Sequence, residues 1–297
     1  MKRTTSRQAR AGRISLAWTA IASLSLLLAG CPNEEGNGAD AGVDTTPAET
    51  LDPEPADAPT QVHDGRLTCV GNNAPASPAG TVLELTGYVR TLADPDATKA
   101  PPAARVEAFT KSGTSIGVGF ADPSPGKDGR VSVTVPITKA GFTGHTVVSE
   151  PGFLDWRFEN SRPITDMTFT GWAWLTTADE VSARTLALGI TQDPANGILV
   201  GAVHDCDGFG VEYAMVSIDG KLEAPLFVEG FDVVDNRHFT SDTGRFVVPN
   251  LSPGEVEVKA FGRLKKGGPL TLLSSITVTI EAGRISAAAM QPRAGAK

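Results

Sequence analysis

Cysteine and histidine, the side chains that most often bind metals or move protons, number three and four in 297 residues. There is no C-x-x-C pair and no H-E-x-x-H run, so neither a zinc module nor a helix-borne hydrolase motif is present. No serine is read as the nucleophile of a strand-to-helix elbow, and no catalytic residue, metal or cofactor is expected. Lys and Arg total 26 against 34 Asp and Glu, and they form no cationic stripe. A nucleic-acid partner is thereby excluded, because nothing can neutralise its phosphates. Long amphipathic helices are nearly absent, which removes the helical bundles from consideration.

What is present starts at the N-terminus. Lys2, Arg3, Arg7, Arg10 and Arg13 precede the apolar run "ISLAWTAIASLSLLLAG" over residues 14–30. A charged start followed by a short hydrophobic stretch reads as a signal peptide over residues 1–30, not as a membrane span. Its end, Leu28-Ala29-Gly30-Cys31, resembles a bacterial lipobox. That resemblance implies cleavage between Gly30 and Cys31, a diacylglycerol on the Cys31 thiol, and membrane attachment through lipid alone. No aspartate follows the cysteine, where Pro32 and Asn33 stand. By the same resemblance the protein is expected in the cell envelope, at the outer membrane of a Gram-negative bacterium.

Residues 32–64 hold nine acids and no Lys or Arg, and they are rich in Ala, Pro, Gly and Thr. Such a segment cannot bury enough apolar surface to offset its ordering entropy, so residues 31–65 read as a disordered acidic tether. Without the five leading bases, 21 basic side chains face 34 acidic ones, a net of −13.

About 230 residues follow, enough for two compact domains. They run as short alternating segments bounded by Gly, Pro, Asp and Asn, the texture of an all-β sandwich protein. "SDTGRFVVPNLSPGEVEVKAFG" (241–262) shows it best. Asp242 to Gly244 and Pro253-Gly254 are turns. Phe246 and Val248 share one strand face, and Val256, Val258 and Ala260 share another, with Glu255, Glu257 and Lys259 towards water. Ile276, Val278 and Ile280 continue the pattern. The order Gly201-Ala202-Val203, Ala214-Met215-Val216, Gly244-Arg245-Phe246 and Pro253-Gly254-Glu255-Val256 resembles a carboxypeptidase regulatory-like domain. These are transthyretin-like sandwiches related to the B-type repeats of bacterial adhesins. The resemblance implies a sandwich over 195–292 and says little of function. Some adhesin relatives carry an isopeptide cross-link from a first-strand lysine, but no lysine lies between Asp193 and Asp219.

A diverged second copy is read over 66–175 from Gly87-Tyr88-Val89, Ala104 to Phe109 and Asp128-Gly129-Arg130-Val131. Between the copies, in a linker over 176–194, Thr177 and Glu180 have capping-box spacing and Gly189 can end a helix. A short connecting helix is expected there, with Val181, Thr185 and Leu188 against one domain.

Three places invite a site. Cys69 and Cys206 either form the one available intramolecular disulfide or are buried in separate cores. "HDCD" (204–207) holds ligand-type side chains, yet an extended strand turns His204 and Cys206 away from the two aspartates, so no metal is expected. Asp232, Asp235 and Asp242 likewise lack the repeat of a calcium loop. "DMTFTGWAWLT" (166–176) places Trp172 and Trp174 on one strand face, as a sugar-stacking or partner-binding pair. A bulge at Gly171 or burial against the second domain would turn them inward. The expected function is an envelope-anchored, non-catalytic structural or protein-interaction module, whose partners are envelope proteins or surface glycans. The alternative is a carbohydrate-binding lipoprotein using the tryptophan pair.

Overall fold

The computed structural model describes residues 49–70, 80–92, 103–124, 129–138, 141–165, 170–229, 232–234 and 237–292. The leader, the Gly30/Cys31 junction and residues 31–48 of the expected tether lie outside them. Among the described residues the chain is mostly β, with one helix.

The strands run in order β1 (Val82–Thr91), β2 (Arg105–Phe109), β3 (Ser115–Phe120), β4 (Arg130–Pro136), β5 (His145–Ser149), β6 (Trp156–Asn160) and β7 (Thr170–Leu175). The helix α1 (Ala178–Ala187) follows. Then come β8 (Gly197–Val203), β9 (Met215–Ile218), β10 (Leu226–Glu229), β11 (Asp232–Val234), β12 (Arg245–Leu251), β13 (Gly254–Arg263), β14 (Leu270–Ile280) and β15 (Ile285–Met290).

Alternation makes these strands legible and decides their faces. On β4 every second residue, Val131, Val133 and Val135, is buried and the residues between are exposed. On β13, Val256, Val258 and Ala260 enter the core while Glu255 and Glu257 remain exposed. Gly129 and Gly244, at the turns leading into β4 and β12, have φ of +69° and +68°. The helix expected over 177–189 is α1. The Thr177 hydroxyl accepts from the Glu180 backbone N–H at 3.2 Å, and the Glu180 carboxylate accepts from the Thr177 N–H at 2.8 Å. Gly189 (φ +74°) ends the helix, and Val181 and Thr185 are its buried residues.

The two sandwiches are fused more closely than a tandem pair, because they share a sheet. A nine-stranded sheet runs β11-β10-β12-β8-β15-β6-β5-β2-β3, flanked by the three-stranded sheets β4-β1-β7 and β14-β13-β9. Strand β15 joins the halves: it pairs in parallel with β8 on one side and with β6 on the other. Its residues alternate between two cores. Ile285 and Ala287 belong to the core shared with β1, β4 and β7, while Ala288 and Met290 belong to the core shared with β13 and β14. The same split holds on β8 (Ile198 against Leu199) and on β12 (Val247 against Phe246 and Val248). The nine-stranded sheet is therefore a middle layer, with the first core on one face and the second on the other.

The N-terminal boundary of the first sandwich also differs from expectation. Leu67 belongs to the second core, and the first strand of the first lobe begins only at Val82. Residues 66–70 therefore pack with the second lobe.

One position in the middle sheet has no room to spare. Gly201 pairs with Phe246 across β8 and β12, and a methyl group at Gly201 would sit 2.2 Å from the phenyl ring. Gly201→Ala is expected to lower unfolding stability by about 1–3 kcal/mol through overpacking, measured by urea denaturation. Adding Phe246→Leu, which shortens the ring's reach, is expected to recover part of that loss.

Candidate functional site

A continuous series of specific side-chain contacts lies where residues 49–70 cross the second lobe. Composition reads residues 31–65 as a free tether. Its C-terminal part, residues 49–65, is instead a strap laid along β13, β14 and the loops beside them. The physical reason is that cations and an open strand edge on the second lobe meet its acids and backbone groups.

The strap begins as a short extension of a sheet. Thr50 forms an antiparallel bridge with Thr271, the Leu51 N–H donates to the Leu270 carbonyl at 2.9 Å, and the Leu272 N–H donates to the Glu49 carbonyl at 2.8 Å. This covers the edge of β14, which would otherwise present unpaired backbone groups. Leu51 and Ala58 pack on a small apolar cluster of Met215, Phe261, Leu270 and Leu272.

Charge then fixes the register. Glu49 pairs with Lys259 at 2.9 Å, and Glu54 takes both ends of the Arg263 guanidinium, at 3.1 and 2.6 Å. The same Glu54 carboxylate accepts the Leu270 N–H at 2.9 Å, and the Arg263 Nε–H donates to the Pro59 carbonyl at 2.7 Å. A two-pronged Arg–carboxylate contact is geometrically selective, and the Arg263 side chain is only 10% exposed. The Arg263 hydrogen bond, with the Leu270 N–H, holds the Glu54 carboxyl below its ordinary range. Further along, Asp57 lies 3.4 Å from the His238 ring.

Beyond residue 60 a histidine ring and then an arginine meet acids of the second lobe. His63 Nδ1 accepts the Glu212 N–H at 3.2 Å, so the ring proton resides on Nε2 and donates to Asp205 Oδ2 at 3.3 Å. The other oxygen of the buried Asp205 accepts the N–H groups of Asp207 and Phe209, both at 2.9 Å. Gly65 permits this approach, since a methyl group there would stand 2.2 Å from the His63 ring and 2.3 Å from the Asp205 carboxylate. Arg66 pairs with Asp207 at 2.6 Å, and its carbonyl accepts the Cys206 N–H at 2.9 Å. The segment is then closed covalently by the disulfide Cys69–Cys206, whose Cα atoms are 5.8 Å apart.

Of the two alternatives for the cysteines, the disulfide is therefore the one realised, and it staples the strap to the second lobe rather than joining the two sandwiches. "HDCD" is consumed by this arrangement. Asp205 closes a turn and accepts from His63, Cys206 is bonded, Asp207 pairs with Arg66, and the His204 N–H donates to the Met290 carbonyl at 2.8 Å.

Of the alternatives for the tryptophans, burial is the one realised at Trp174. Trp174 is 4% exposed and belongs to the first core, and Ala173, Leu175 and Thr176 beside it are buried too. Both faces of β7 are covered here, because Val181, Thr185 and Leu188 of the α1 region and Ile198, Val247 and Ile285 of the second lobe line the same apolar cavity as Trp174. Trp172 pairs with Tyr88 of β1 through its backbone. Its side chain, together with Met167 and Phe169, lies outside the described residues.

One pentapeptide, Gly113-Thr114-Ser115-Ile116-Gly117, does carry G-x-S-x-G spacing, contrary to the reading that no serine sits in such an elbow. It leads into an edge strand, not a helix. The Ser115 hydroxyl donates to the Glu107 carboxylate, and Phe109 stands between Ser115 and His145 in the sheet register. The strap itself escaped the sequence reading entirely. Its available signal was the spacing of Glu49, Leu51 and Glu54 opposite a strand bearing Lys259 and Arg263.

No family model matches the chain, and no curated protein matches it. Among solved structures it is similar to "The Bacillus anthracis TIE protein", at 15% identity and a TM-score of 0.23. That similarity covers 72% of this chain and 35% of the other, so the chain spans about a third of that protein's length.

Two outcomes are expected. His145 is buried and stacked on Phe109, with ring centroids 5.1 Å apart. Burial, assisted by the Arg157 charge and partly opposed by Glu281, lowers its pKa from 6.5 to about 4. The unfolded chain therefore binds this proton first as the pH falls. The stability held by the neutral imidazole is complete above about pH 6.5 and is lost progressively towards pH 4. That loss is on the order of 3 kcal/mol, read as a falling urea midpoint, and is expected to be smaller in His145→Gln. For the strap, Arg263→Met keeps much of the apolar stem and removes the fork. Amide hydrogen exchange over residues 49–60 is expected to rise by about tenfold or more, with β8 and β12 unchanged.

Proposed function

We propose that the protein is a lipid-anchored protein of the cell envelope, whose two fused sandwich lobes act as a non-catalytic structural or protein-interaction module. In this reading Cys31 carries the lipid after cleavage at Gly30, residues 31–48 span the distance from the membrane, and the strap receives that span on the second lobe. Eighteen residues, fully extended, reach about 60 Å. The lobes are diverged members of the carboxypeptidase regulatory-like group, the anchor lies in the outer membrane, and the partners are other envelope proteins or surface glycans.

The observation that carries the location is the Cys69–Cys206 disulfide. Such bonds persist in oxidising compartments and are rare in the cytosol, which agrees with an export leader and a lipobox. The absence of catalysis is supported by what the titratable groups are engaged in: His63 and Asp205 hold the strap, and Phe109 separates Ser115 from His145. Carbohydrate binding through Trp172 and Trp174 loses its basis, because Trp174 is enclosed between the lobes.

Metabolic labelling with an alkyne fatty-acid probe tests the anchor. The wild-type chain is expected to take up label and to sediment with membranes, and Cys31→Ser to lose both properties. An unlabelled wild type, or a Cys31→Ser chain that stays equally membrane-bound, would overturn the reading.

A further inference from the structure

The strap and the disulfide together fix how tension crosses this molecule. The bond closes a loop with a sequence separation of 137 residues. Inside that loop lie β1 to β7, α1 and β8, which include the described strands of the first lobe apart from the shared β15. Among the described residues, the strap and the strands β9 to β15 lie outside it. A force applied at the N-terminal side and resisted at the C-terminal side runs from residue 49 to Cys69, across the sulfur atoms to Cys206, and onward through the second lobe. We infer that the Cys69–Cys206 bond is a mechanical bypass that keeps the loop between the two cysteines, and with it the backbone of β1 to β8, from lengthening under load, with the strap as a peelable buffer ahead of it.

The order of contacts supports the buffer. Starting from residue 49, a pull meets the Glu49–Lys259 pair, the backbone bonds of Leu51 and Leu272, the Glu54–Arg263 fork, the His63–Asp205 contact and the Arg66–Asp207 pair. These succeed one another along the chain, so they open singly and not as one sheared block. Each is non-covalent, and each can re-form once the load falls. The series ends at Cys69, where only a covalent bond remains. The first lobe meanwhile keeps its connection to the second through β15 and its pairing with β6. Under reducing conditions the stop disappears and the loop becomes part of the load path. The extensible length of the protein is thus set by the redox state of one bond.

This inference rests on the proposed N-terminal anchor only for the point at which tension enters. Acyl labelling and the following measurement therefore fail independently. The mature chain, residues 31–297, is held by handles at both ends in optical tweezers, with and without reductant. In the oxidised protein the contour length released is expected to exclude the loop. Reductant is expected to add about 480 Å, at roughly 3.5 Å for each loop residue. A Cys69→Ser/Cys206→Ser chain is expected to match the reduced wild type, and the reduced wild type serves alone if the variant does not fold. Equal lengths with and without reductant would overturn the bypass. A low-force event that ends at residue 69 and weakens in Glu54→Gln supports the buffer. Opening of the second lobe with no earlier strap event would overturn it.

Discussion

Strand β15 is the constraint on which the rest of the structure depends. It lies between β8 and β6, parallel to both, and so belongs to both lobes at once. Strands with parallel neighbours on each side are ordinarily covered on both faces, and here the two faces serve different cores. Ile285 and Ala287 close one, and Ala288 and Met290 close the other. Removing this strand would expose both cores and cut the nine-stranded sheet in half. The small side chains of Ser286 to Ala289 follow from that position, since layers pack against the strand from above and below.

The disulfide and the strap form a second level of organisation laid over the first. On the chain-entropy model, closing a loop of this length contributes about 5 kcal/mol, chiefly by limiting the unfolded chain. The noncovalent contacts of this segment are largely polar and reciprocal, with Glu49 and Glu54 on lobe bases before residue 60, and the His63 ring and Arg66 on lobe acids after it. Polarity of this kind specifies register, because a shifted strap would set like charges against each other. Arg263 is central to it, reaching Glu54 and the Pro59 carbonyl from one guanidinium.

The parts of the fold that were legible in the sequence are those in which one face meets water. Val256, Val258 and Ala260 alternate with Glu255, Glu257 and Lys259, and Gly254, at the turn before them, has a positive φ. The Thr177 and Glu180 capping box likewise announced α1. "ISAAAM" gave no such signal. A strand covered on both faces has no polar alternation, and its alanines suit a helix at least as well. The fusion of the lobes was hidden with it. The enclosure of Trp174 stood as one open alternative that the sequence could not decide, because it depends on α1 and on strands that lie far away in sequence. The strap was hidden for a compositional reason. Acid-rich, Pro-rich chain resists ordering on its own, and nothing local reveals that Lys259, Arg263 and an open β14 edge lie within reach.

If β15 unites the lobes, the protein unfolds as one unit despite having two cores. Differential scanning calorimetry of the oxidised folded protein measures this directly, through the ratio of calorimetric to van 't Hoff enthalpy. A single transition with a ratio close to one is the expected result. Two resolved transitions, one for each lobe, would contradict it.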